Sequence, residues 1–366
     1  MTDQEPAQIG TQVANSQGIK GSKGESVLPG FDSLRLIGAL TVILSHSYLI
    51  AQDTEGSEPL QQLLQGDKNI AGLYGVFMFF IISGFLLARS LHRNPSPVRF
   101  LVNRAVRLLP GFIACTLVVA LVIAPLCSSL GVWGYFATGE WIQYISQSII
   151  TIGDAPLPGV FNYVGSVAQV VNGSLWSLQA EVLSYGVLLG LWLLLPSPGW
   201  VVATLSGIGL AILLQLPALA WLPGITYPLP YFAAGVLMWW LTQHLGHSRT
   251  LAQFCTVGLI TGAILGIPHQ AFAGFGAYLV VHLGHQTSPI GRWIERTGDL
   301  SYGLYLFGWP IQQALRQMLD LQQPELLFVL STLITALFAW VLFHTVERPA
   351  LCLRKPILEG LKRRIA

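Results

Sequence analysis

Three groups of polar side chains interrupt strongly apolar stretches of this sequence, and their types could support proton transfer or anion binding. They are Arg35 with His46, the single acid Glu181, and the pair Arg104 and Arg107. A charged side chain in hydrocarbon costs at least ~2.5–3.5 kcal/mol, so an ionisable group inside a membrane is a candidate functional residue. The sequence therefore indicates these five residues as the first candidates for a functional site.

Arg35 and His46 belong to the opening apolar segment, FDSLRLIGALTVILSHSYLI, and are eleven positions apart. On an α-helix this spacing returns both side chains to nearly the same face, with a rise of ~16 Å. We expect Arg35 at the cytoplasmic rim and His46 about halfway across the membrane. A neutral imidazole at that depth could take a proton from a hydroxyl group as a general base. The alternative is that His46 only hydrogen-bonds two helices together.

Glu181 lies in the segment NGSLWSLQAEVLSY, whose polar residues share one helical face. Helical spacing puts on that stripe Ser174, Ser177, Glu181, Ser184 and Tyr185. The stripe is expected to face the bundle interior, with Glu181 ~10 Å below the outer end of its helix and near the depth of His46. Its carboxylate could orient His46 and stabilise the imidazolium, or could bind the hydroxyls of an acceptor. The alternative is a structural glutamate.

Arginines are concentrated in the predicted inner loop and the helix that follows, ARSLHRNPSPVRFLVNRAVRLLP. Arg104 and Arg107 are three positions apart where the predicted third helix enters the membrane, so their guanidinium groups project to the same side. Guanidinium forks match phosphate oxygens. With Arg35 they are predicted to hold the phosphates of a nucleotide-bearing thioester, whose arm would extend inward toward His46. Alternatively, the loop is only a topology signal or binds anionic lipid head groups.

The elements that must position these groups are membrane helices. Only 10% of the 366 residues are charged and 53% are hydrophobic, with a mean hydropathy of +0.60, which cannot build a normal water-facing surface. Apolar runs near the length needed to cross a ~30 Å core recur along the chain. We predict an all-α polytopic membrane bundle of about ten transmembrane helices. They are placed at 34–52, 72–91, 105–126, 174–195, 200–216, 229–246, 250–267, 271–286, 300–318 and 325–345.

The distribution of basic residues predicts the orientation. With the N terminus inside, nearly all Lys and Arg residues fall on the cytoplasmic side, and only Lys68 and Arg316 fall outside. An even number of helices then puts both termini in the cytoplasm of a multi-pass inner (plasma) membrane protein. Residues 1–30 are predicted to be a disordered cytoplasmic tail, 31–350 the membrane domain, and 351–366 a basic cytoplasmic tail. Residues 139–152 are predicted to be interfacial or re-entrant.

Several functional classes are not supported. The net charge of +2 does not indicate nucleic acid as a partner, and the four cysteines lack the spacing of zinc ligands or of a disulfide framework. No P-loop, dinucleotide fingerprint or G-x-S-x-G motif is present. His282 and His285 are three positions apart, but no third ligand is nearby in the sequence, so interfacial hydrogen bonding is favoured over a metal site. We expect no metal cofactor.

The order of several short motifs resembles the acyltransferase 3 family of membrane O-acyltransferases, from about Phe31 to Arg354. FDSLR followed by His46 is similar to that family's LDGLR opening with its R-x10-H signature, and GVFMFFIISGFLLARSL resembles its FFxxSGFL helix. Arg104-Ala-Val-Arg107 matches the RxxR pattern, and SLWSLQAE matches the LWSLxxE segment. LSYGLYLFGWPIQ and VERPALCLRK complete the order.

The resemblance implies transfer of an acyl group, usually acetyl, from coenzyme A to envelope polysaccharides, lipid-linked sugars or related acceptors. It carries the family's essential arginine and histidine onto Arg35 and His46. Its RxxR pair falls on Arg104 and Arg107, and its motif glutamate falls on Glu181.

Two departures from the family pattern affect the site. Gly308 in GLYLFGWP stands where many members have histidine, so no role is carried over for that position. In some members a carboxylate directly after the catalytic histidine, or a few residues beyond it, assists catalysis; here Ser47 follows His46 and Asp53 is the nearest acid. The partner in a proton relay therefore stays open between Glu181 and Asp53.

Together these observations predict a membrane O-acyltransferase that moves an acyl group from acyl-CoA, by resemblance acetyl-CoA, to a hydroxyl of an exopolysaccharide, O-antigen or lipid-linked sugar. His46 is the predicted base for direct transfer, and an acyl-enzyme relay through His46 or a serine stays open. Expected partners are membrane lipid, acyl-CoA and the glycan acceptor, and a homo-oligomer is compatible with the sequence. The alternatives are a proton-coupled secondary transporter using His46 and Glu181, and a silent glycan-binding partner.

Overall fold

The structure is a computed structural model that describes residues 28–52, 57–65, 70–157, 159–163, 165, 167–216 and 224–365. Within these ranges every named secondary-structure element is helical. Most of the predicted N-terminal tail and the candidate relay residue Asp53 lie outside the described residues. The predicted C-terminal tail, 351–366, lies in helical segments up to residue 365.

The described residues form α-helical segments that we number in chain order. They are α1 Pro29–Gln52, α2 Pro59–Leu64, α3 Ala71–Arg93, α4 Pro97–Val118, α5 Ala124–Leu126, α6 Gly131–Thr138, α7 Glu140–Thr151, α8 Trp176–Leu194, α9 Pro198–Leu213, α10 Leu229–Leu245, α11 Arg249–Ile264, α12 Pro268–Ala271, α13 Ala277–Gly284, α14 Pro289–Thr297, α15 Ser301–Leu319, α16 Pro324–Leu342, α17 Arg348–Cys352 and α18 Arg354–Ile365. Single π-helical turns join α4 to α5, α12 to α13, and α16 to α17.

Five helices in the described part of the chain are long and apolar enough to cross a membrane. They are Pro29–Gln52, Ala71–Arg93, Pro97–Leu126, Trp176–Leu194 and Pro324–Leu361. The predicted all-α class and multi-pass membrane character are confirmed. The other predicted spans coincide with helices that are shorter or more polar, namely α9, α10, α11, the 268–284 segment and α15. The count of about ten spans and the cytoplasmic position of both termini stay predictions.

The predicted third helix starts earlier than expected. It begins at Pro97 rather than near residue 105, because Ser96 caps it by accepting a hydrogen bond from the Arg99 backbone N–H at 3.3 Å, and proline is favoured at the first helical position. Arg104 and Arg107 consequently lie two to three turns inside α4, not at its start. This register lets both side chains reach the interior of the bundle.

Residues 139–152, predicted to be interfacial or re-entrant, form helix α7, which follows the short helix α6 almost directly. The Tyr135 hydroxyl of α6 donates to the Ala120 carbonyl at 2.7 Å, within the π-helical turn that follows α4. Tyr135 and Tyr144 are both buried. The pair of short helices therefore packs as a cap on the far end of α4.

Helix α1 is the central element of the bundle, and it packs against α3, α15 and α16, with α13 and α14 near its start. We call the end where α1 begins and α3 ends the arginine end, because most described arginines lie there. Helices α4, α11 and α15 begin at this end, and α10, α13 and α16 finish at it. The helices around α1 therefore fix its position along the axis of the bundle.

Close approach of α3 and α10 depends on two glycines that face each other across the interface. A Cβ atom at Gly84 would lie 2.1 Å from the Phe232 carbonyl oxygen, and a Cβ atom at Gly235 would lie 2.1 Å from the Ile81 carbonyl oxygen. Both obstacles are backbone atoms, which cannot rotate away. Small residues at such positions let membrane helices pack closely.

We expect Gly84→Ala to destabilise the protein by about 1–3 kcal/mol, because the added methyl group forces α3 and α10 apart. Thermal unfolding of the detergent-purified protein measures this effect. Gly190→Ala in α8 is the matched control, since the space around Gly190 is open and alanine favours a helix. Equal melting temperatures for the two variants would contradict the packing described above.

Candidate active site

A cavity at the arginine end brings together four of the five residues that the sequence singled out. Its lining includes Arg35 of α1, Arg104 and Arg107 of α4, and Glu181 of α8. The space between its atoms, counting its open mouth, is about 740 Å³. Apolar walls with a few convergent charges are the usual composition of a small-molecule site.

Arg107 is committed to two carboxylates. Its guanidinium donates to Asp299 at 2.8 Å and to Glu347 at 3.1 Å, and it lies 5.8 Å from the centre of the Tyr302 ring. Only 3% of Glu347 is exposed. This ion triad ties α4 to the segment before α15 and to the π-helical turn after α16. The charge of Arg107 is therefore largely balanced by the protein itself.

Arg104, one turn earlier on α4, is in a different situation. It forms no ion pair with any described residue. Tyr185 lies beside it, with its hydroxyl close enough to interact with the guanidinium and its ring centre 5.9 Å from the guanidinium carbon. The Nε atom of Arg104 is buried without a hydrogen-bond partner among the described residues. Among the described residues, Arg35 forms one ion pair, with Asp32 one turn before it on the same helix, at 2.9 Å. Arg104 therefore has donor capacity for a ligand anion in the cavity.

Glu181 lines the cavity and bonds to two hydroxyls. Ser83 of α3 donates to its Oε1 at 3.2 Å, and Tyr185 donates to the same oxygen from one turn along α8. Ser83 thereby joins the lining of the cavity. Glu181 and His46 are not hydrogen-bonded to each other. The carboxylate belongs to the cavity rather than to the surroundings of His46.

His46 lies farther from the arginine end, beyond the cavity. Its ring meets the Trp309 ring of α15 edge to face, with 4.8 Å between centroids, and it forms no hydrogen bond within the described residues. Trp309 is held in place because its indole N–H donates to the Val170 carbonyl at 2.9 Å. The imidazole nitrogens of His46 are therefore uncommitted within the described part of the chain.

Two aromatic rings lie between the cavity and His46. Phe79 of α3 and Tyr305 of α15 both line the cavity, and their ring centroids are 5.8 Å apart in an edge-to-face arrangement. Tyr305 is one helical turn before Trp309, so His46 lies about one turn, ~6 Å, beyond this pair. The Tyr305 hydroxyl donates to the Ser174 carbonyl at 2.8 Å. A ligand in the cavity meets this pair before it reaches His46.

Helix α1 is fastened to α15 on both sides of His46. The Gln312 side-chain amide donates to the Ile43 carbonyl at 2.7 Å and to Ser47 Oγ at 2.6 Å, and Gln312 is fully buried. One turn earlier, a Cβ atom at Gly308 would lie 2.9 Å from Ile43 Cγ1. The position where the family often has histidine therefore has no room for a side chain here. Gln312 is a positioning residue that the sequence did not reveal.

Three comparisons with known proteins bear on this site. The family profile of acyltransferase domains matches residues 28–344 of this chain. No solved structure matches. The chain belongs to the acyltransferase 3 family, as its motifs suggested, and the predicted class of enzyme, an acyltransferase, is confirmed.

Relatives of low identity match most of the chain. An O-acetyl transferase of Shigella phage Sf6 is 24% identical, over 86% of this chain and 92% of its own length. Nodulation protein 10 of Rhizobium leguminosarum bv. viciae is 26% identical, over 90% of this chain and 94% of its own. Exopolysaccharide production protein ExoZ of Rhizobium meliloti (strain 1021) is 26% identical, over 76% and 90%.

The two cavity arginines should behave oppositely when replaced. Arg107→Gln is expected to destabilise the protein by roughly 3 kcal/mol, because Glu347 and Asp299 would be left without their shared cation. Arg104→Gln, which breaks no ion pair, should change stability by less than about 1 kcal/mol. Thermal unfolding in detergent distinguishes the two.

A triple variant serves as the control for this comparison. Arg107→Gln combined with Asp299→Asn and Glu347→Gln should recover much of the lost stability, because no unpaired charge remains. If Arg104→Gln unfolds at the lower temperature of the pair, the assignment of Arg107 as the structural cation is wrong.

Proposed function

We propose that this protein is a membrane O-acyltransferase that transfers an acetyl group from acetyl-CoA to a hydroxyl group of an envelope glycan. The observation that carries the proposal is the position of Arg104, which has no ion pair among the described residues, in a cavity about one helical turn from His46. The names of the relatives, an O-acetyl transferase and an exopolysaccharide production protein, support transfer to a polysaccharide. Exopolysaccharide, O-antigen and lipid-linked sugars are the acceptor classes proposed.

Acyl-CoA is the proposed donor because the cavity pairs cations with an apolar interior. Arg35 and Arg104 would bind its phosphates, since guanidinium groups form charge-assisted hydrogen bonds with phosphate oxygens. Arg107 would contribute positive potential, but its two carboxylate partners make it chiefly a positioning residue. The acyl end would then extend along α1, away from the arginine end.

Helix α1 sets the distance that the donor must span. Arg35 and His46 are eleven residues apart on one continuous helix, which corresponds to ~16 Å along its axis. An extended thioester arm fits this separation better than a compact solute does. Phe79 and Tyr305 would have to separate for the thioester to reach His46, so their side-chain rotation is part of the proposed cycle.

His46 is the proposed general base for direct transfer. One imidazole nitrogen would take the proton of the acceptor hydroxyl as the oxygen attacks the thioester carbonyl, forming the new C–O bond. The C–S bond then breaks, and the sulfur of coenzyme A leaves and takes up a proton, which His46 can return. The products are an O-acyl ester and free coenzyme A, and His46 ends as it began.

Glu181 is proposed to act on the bound substrates rather than on the imidazole. Its bonds to Ser83 and Tyr185 fix the carboxylate in the cavity wall, where it can orient a donor amide or an acceptor hydroxyl. Gln312, which bonds to α1 at Ile43 and Ser47, is the proposed residue that fixes the height of His46. In this proposal Glu181 orients the substrates, and Gln312 positions the base.

The proposed location is the inner membrane of the cell, with the arginine end in the cytoplasm. Positively charged side chains are enriched on the cytoplasmic side of membrane proteins, and they concentrate at this end. Acyl-CoA would enter from the cytoplasm, and the acceptor would approach His46 from the opposite side. The membrane would then separate the two substrates until they meet near the centre of the bundle.

We expect His46→Ala to abolish O-acetylation, because the attacking hydroxyl loses its base, which is worth ~10²–10⁴ in rate. The measurement is the O-acetyl content of surface polysaccharide by NMR in cells that lack the gene and are complemented with each variant. His244→Ala is the matched control, because His244 is exposed and lies against the Trp240 ring, outside the lining of the cavity.

Equal acetylation by His46→Ala and wild type, at equal membrane abundance, would remove His46 as the base. Radiolabelled acetyl-CoA then tests the enzyme class itself in isolated membranes. Label on the glycan that depends on the protein supports the acyltransferase. Proton-coupled solute uptake without any label would favour a transporter and contradict the proposal.

A further inference from the structure

A second basic site lies at the arginine end, outside the cavity described above. It is an open groove between the start of α11 and the end of α13, and the loop after α10 contributes to it. Its polar lining consists of His247, Arg249, Gln253, Thr256, His282, His285, Gln286 and Thr287. The sequence drew attention to His282 and His285 but offered no third partner, because His247 is far from them along the chain.

His247 completes a cluster of three imidazoles. Its ring centroid is 4.1 Å from that of His285 and 6.2 Å from that of His282. The rings of His247 and His285 are tilted by 35° relative to each other. No group of three or more metal-ligating side chains with suitable geometry is found among the described residues. The cluster is therefore better suited to an anion than to a metal ion.

The charged side chains that line the groove are basic. None of the described residues that line it is acidic. Arg249 adds a permanent charge at the start of α11, and Arg89 of α3 is near enough to influence His285. Partial burial lowers the pKa of His247, and the neighbouring histidines lower it further. A bound anion would remove this repulsion and favour the protonated rings.

One buried polar atom of the groove-lining residue His282 has no hydrogen-bond partner among the described residues. His282 is only 9% exposed, and its Nδ1 forms no hydrogen bond with any described residue. The ring is held by stacking against Tyr278, with 5.8 Å between centroids. The nearby His285, in contrast, uses its Nδ1 toward the Val281 carbonyl at 2.8 Å, so its Nε2 remains for a ligand. Buried polar atoms without a partner are uncommon in proteins, so each one is a candidate ligand contact.

The groove is separate from the cavity but adjoins it. Phe31 and Phe85 stand between them, with ring centroids 5.5 Å apart, and both rings contact His285. Arg35 follows Phe31 by one helical turn, and Ser83 of the cavity wall precedes Phe85 by two residues. A ligand that bridges the two sites would therefore pass over this aromatic wall at the arginine end.

We propose that this groove binds the phosphate group of an anionic ligand through His247, Arg249, His282 and His285. Two ligands carry this chemistry: the 3′-phosphate of coenzyme A, and the head group of an anionic phospholipid. The first source rests on the proposed acyl-CoA donor, whereas the second does not. Charged Arg and His side chains form stronger hydrogen bonds with phosphate than neutral amide side chains do. Replacing them with glutamine should therefore weaken phosphate binding measurably.

The experiment compares the purified, full-length protein with the double variant His247→Gln/Arg249→Gln. Both replaced side chains are exposed, so folding should be preserved. His244→Gln/Arg348→Gln is the matched control, because it removes one exposed histidine and one exposed arginine outside the groove. Titration calorimetry measures the binding of coenzyme A and of 3′-dephospho-coenzyme A. Native mass spectrometry measures retention of phosphatidylglycerol against phosphatidylcholine from nanodiscs.

If the 3′-phosphate occupies the groove, wild type and the control prefer coenzyme A over its dephospho form, and the double variant loses this preference. We expect about a tenfold weaker Kd for coenzyme A and no change for the dephospho form. If a lipid head group occupies it, the double variant instead loses its selective retention of phosphatidylglycerol. Unchanged coenzyme A binding and unchanged lipid retention would overturn the proposal.

The proposed phosphate site in the groove and the proposed acyl-CoA donor can be tested separately, because the failure of each gives a different result. Arg104→Gln should weaken binding of both coenzyme A and its dephospho form, because Arg104 lies in the other cavity. Coenzyme A binding that is sensitive to Arg104→Gln but not to the groove variant, with lipid retention unchanged, leaves the donor in place and removes the groove. If phosphatidylglycerol retention depends on the groove but no form of the protein binds coenzyme A, the groove proposal stands and the proposed acyl-CoA donor is wrong.

Discussion

Arg107 occupies the point at which three parts of the bundle meet, and its two ion pairs hold the wall of the cavity in position. Asp299 precedes α15, and Glu347 ends the π-helical turn after α16, so a single guanidinium group on α4 fixes both. Burial alone would raise the pKa of Asp299, but Arg107 and Arg35 hold that pKa below its ordinary value. Ser301 also bonds to Asp299, which sets where α15 begins.

The placement of α15 decides the rest of the candidate site. Tyr302 and Tyr305 line the cavity, Trp309 contacts His46, and Gln312 bonds to α1, at successive turns of the same helix. If the ion triad were released, the register of α15 against α1 would no longer be fixed at its start. Helix α1 then acts as a rigid spacer, because Arg35 and His46 lie on it without an interruption. The triad and α1 together define the height at which a donor and an acceptor could meet.

Much of this arrangement was predictable because it depends on helical periodicity. The spacing of Arg35 and His46 within one apolar segment indicated a shared helix, and the polar stripe around Glu181 indicated an inward face. The earlier start of α4 was also readable, since Ser96 and Pro97 form an ordinary helix-start signal. Glu347 follows an apolar segment, and an ionisable residue at the edge of such a segment is a candidate functional residue, as Glu181 was. The sequence therefore also contained a signal for Glu347.

The remaining features could not be derived from local patterns. Arg107 meets Asp299 and Glu347 across 192 and 240 positions, and Gln312 meets Ser47 across 265, so each pairing is decided by tertiary packing. For the same reason the sequence could not separate Arg104, which lacks an ionic partner, from Arg107, which has two. His247 joins His282 and His285 only because the loop after α10 folds back toward α13. The sequence predicted Glu181 near the depth of His46, but in the structure the two side chains have separate partners.

The most direct test of the account is the side from which the donor is used. Cys352 is the one exposed cysteine of the four, and it lies beyond Glu347 at the arginine end, so its reaction with an impermeant maleimide reports orientation in proteoliposomes. Labelled acetyl-CoA should transfer its acetyl group to a glycan acceptor only when supplied on the face where Cys352 reacts. Transfer that requires acetyl-CoA on the opposite face would contradict entry of the donor at the arginine end.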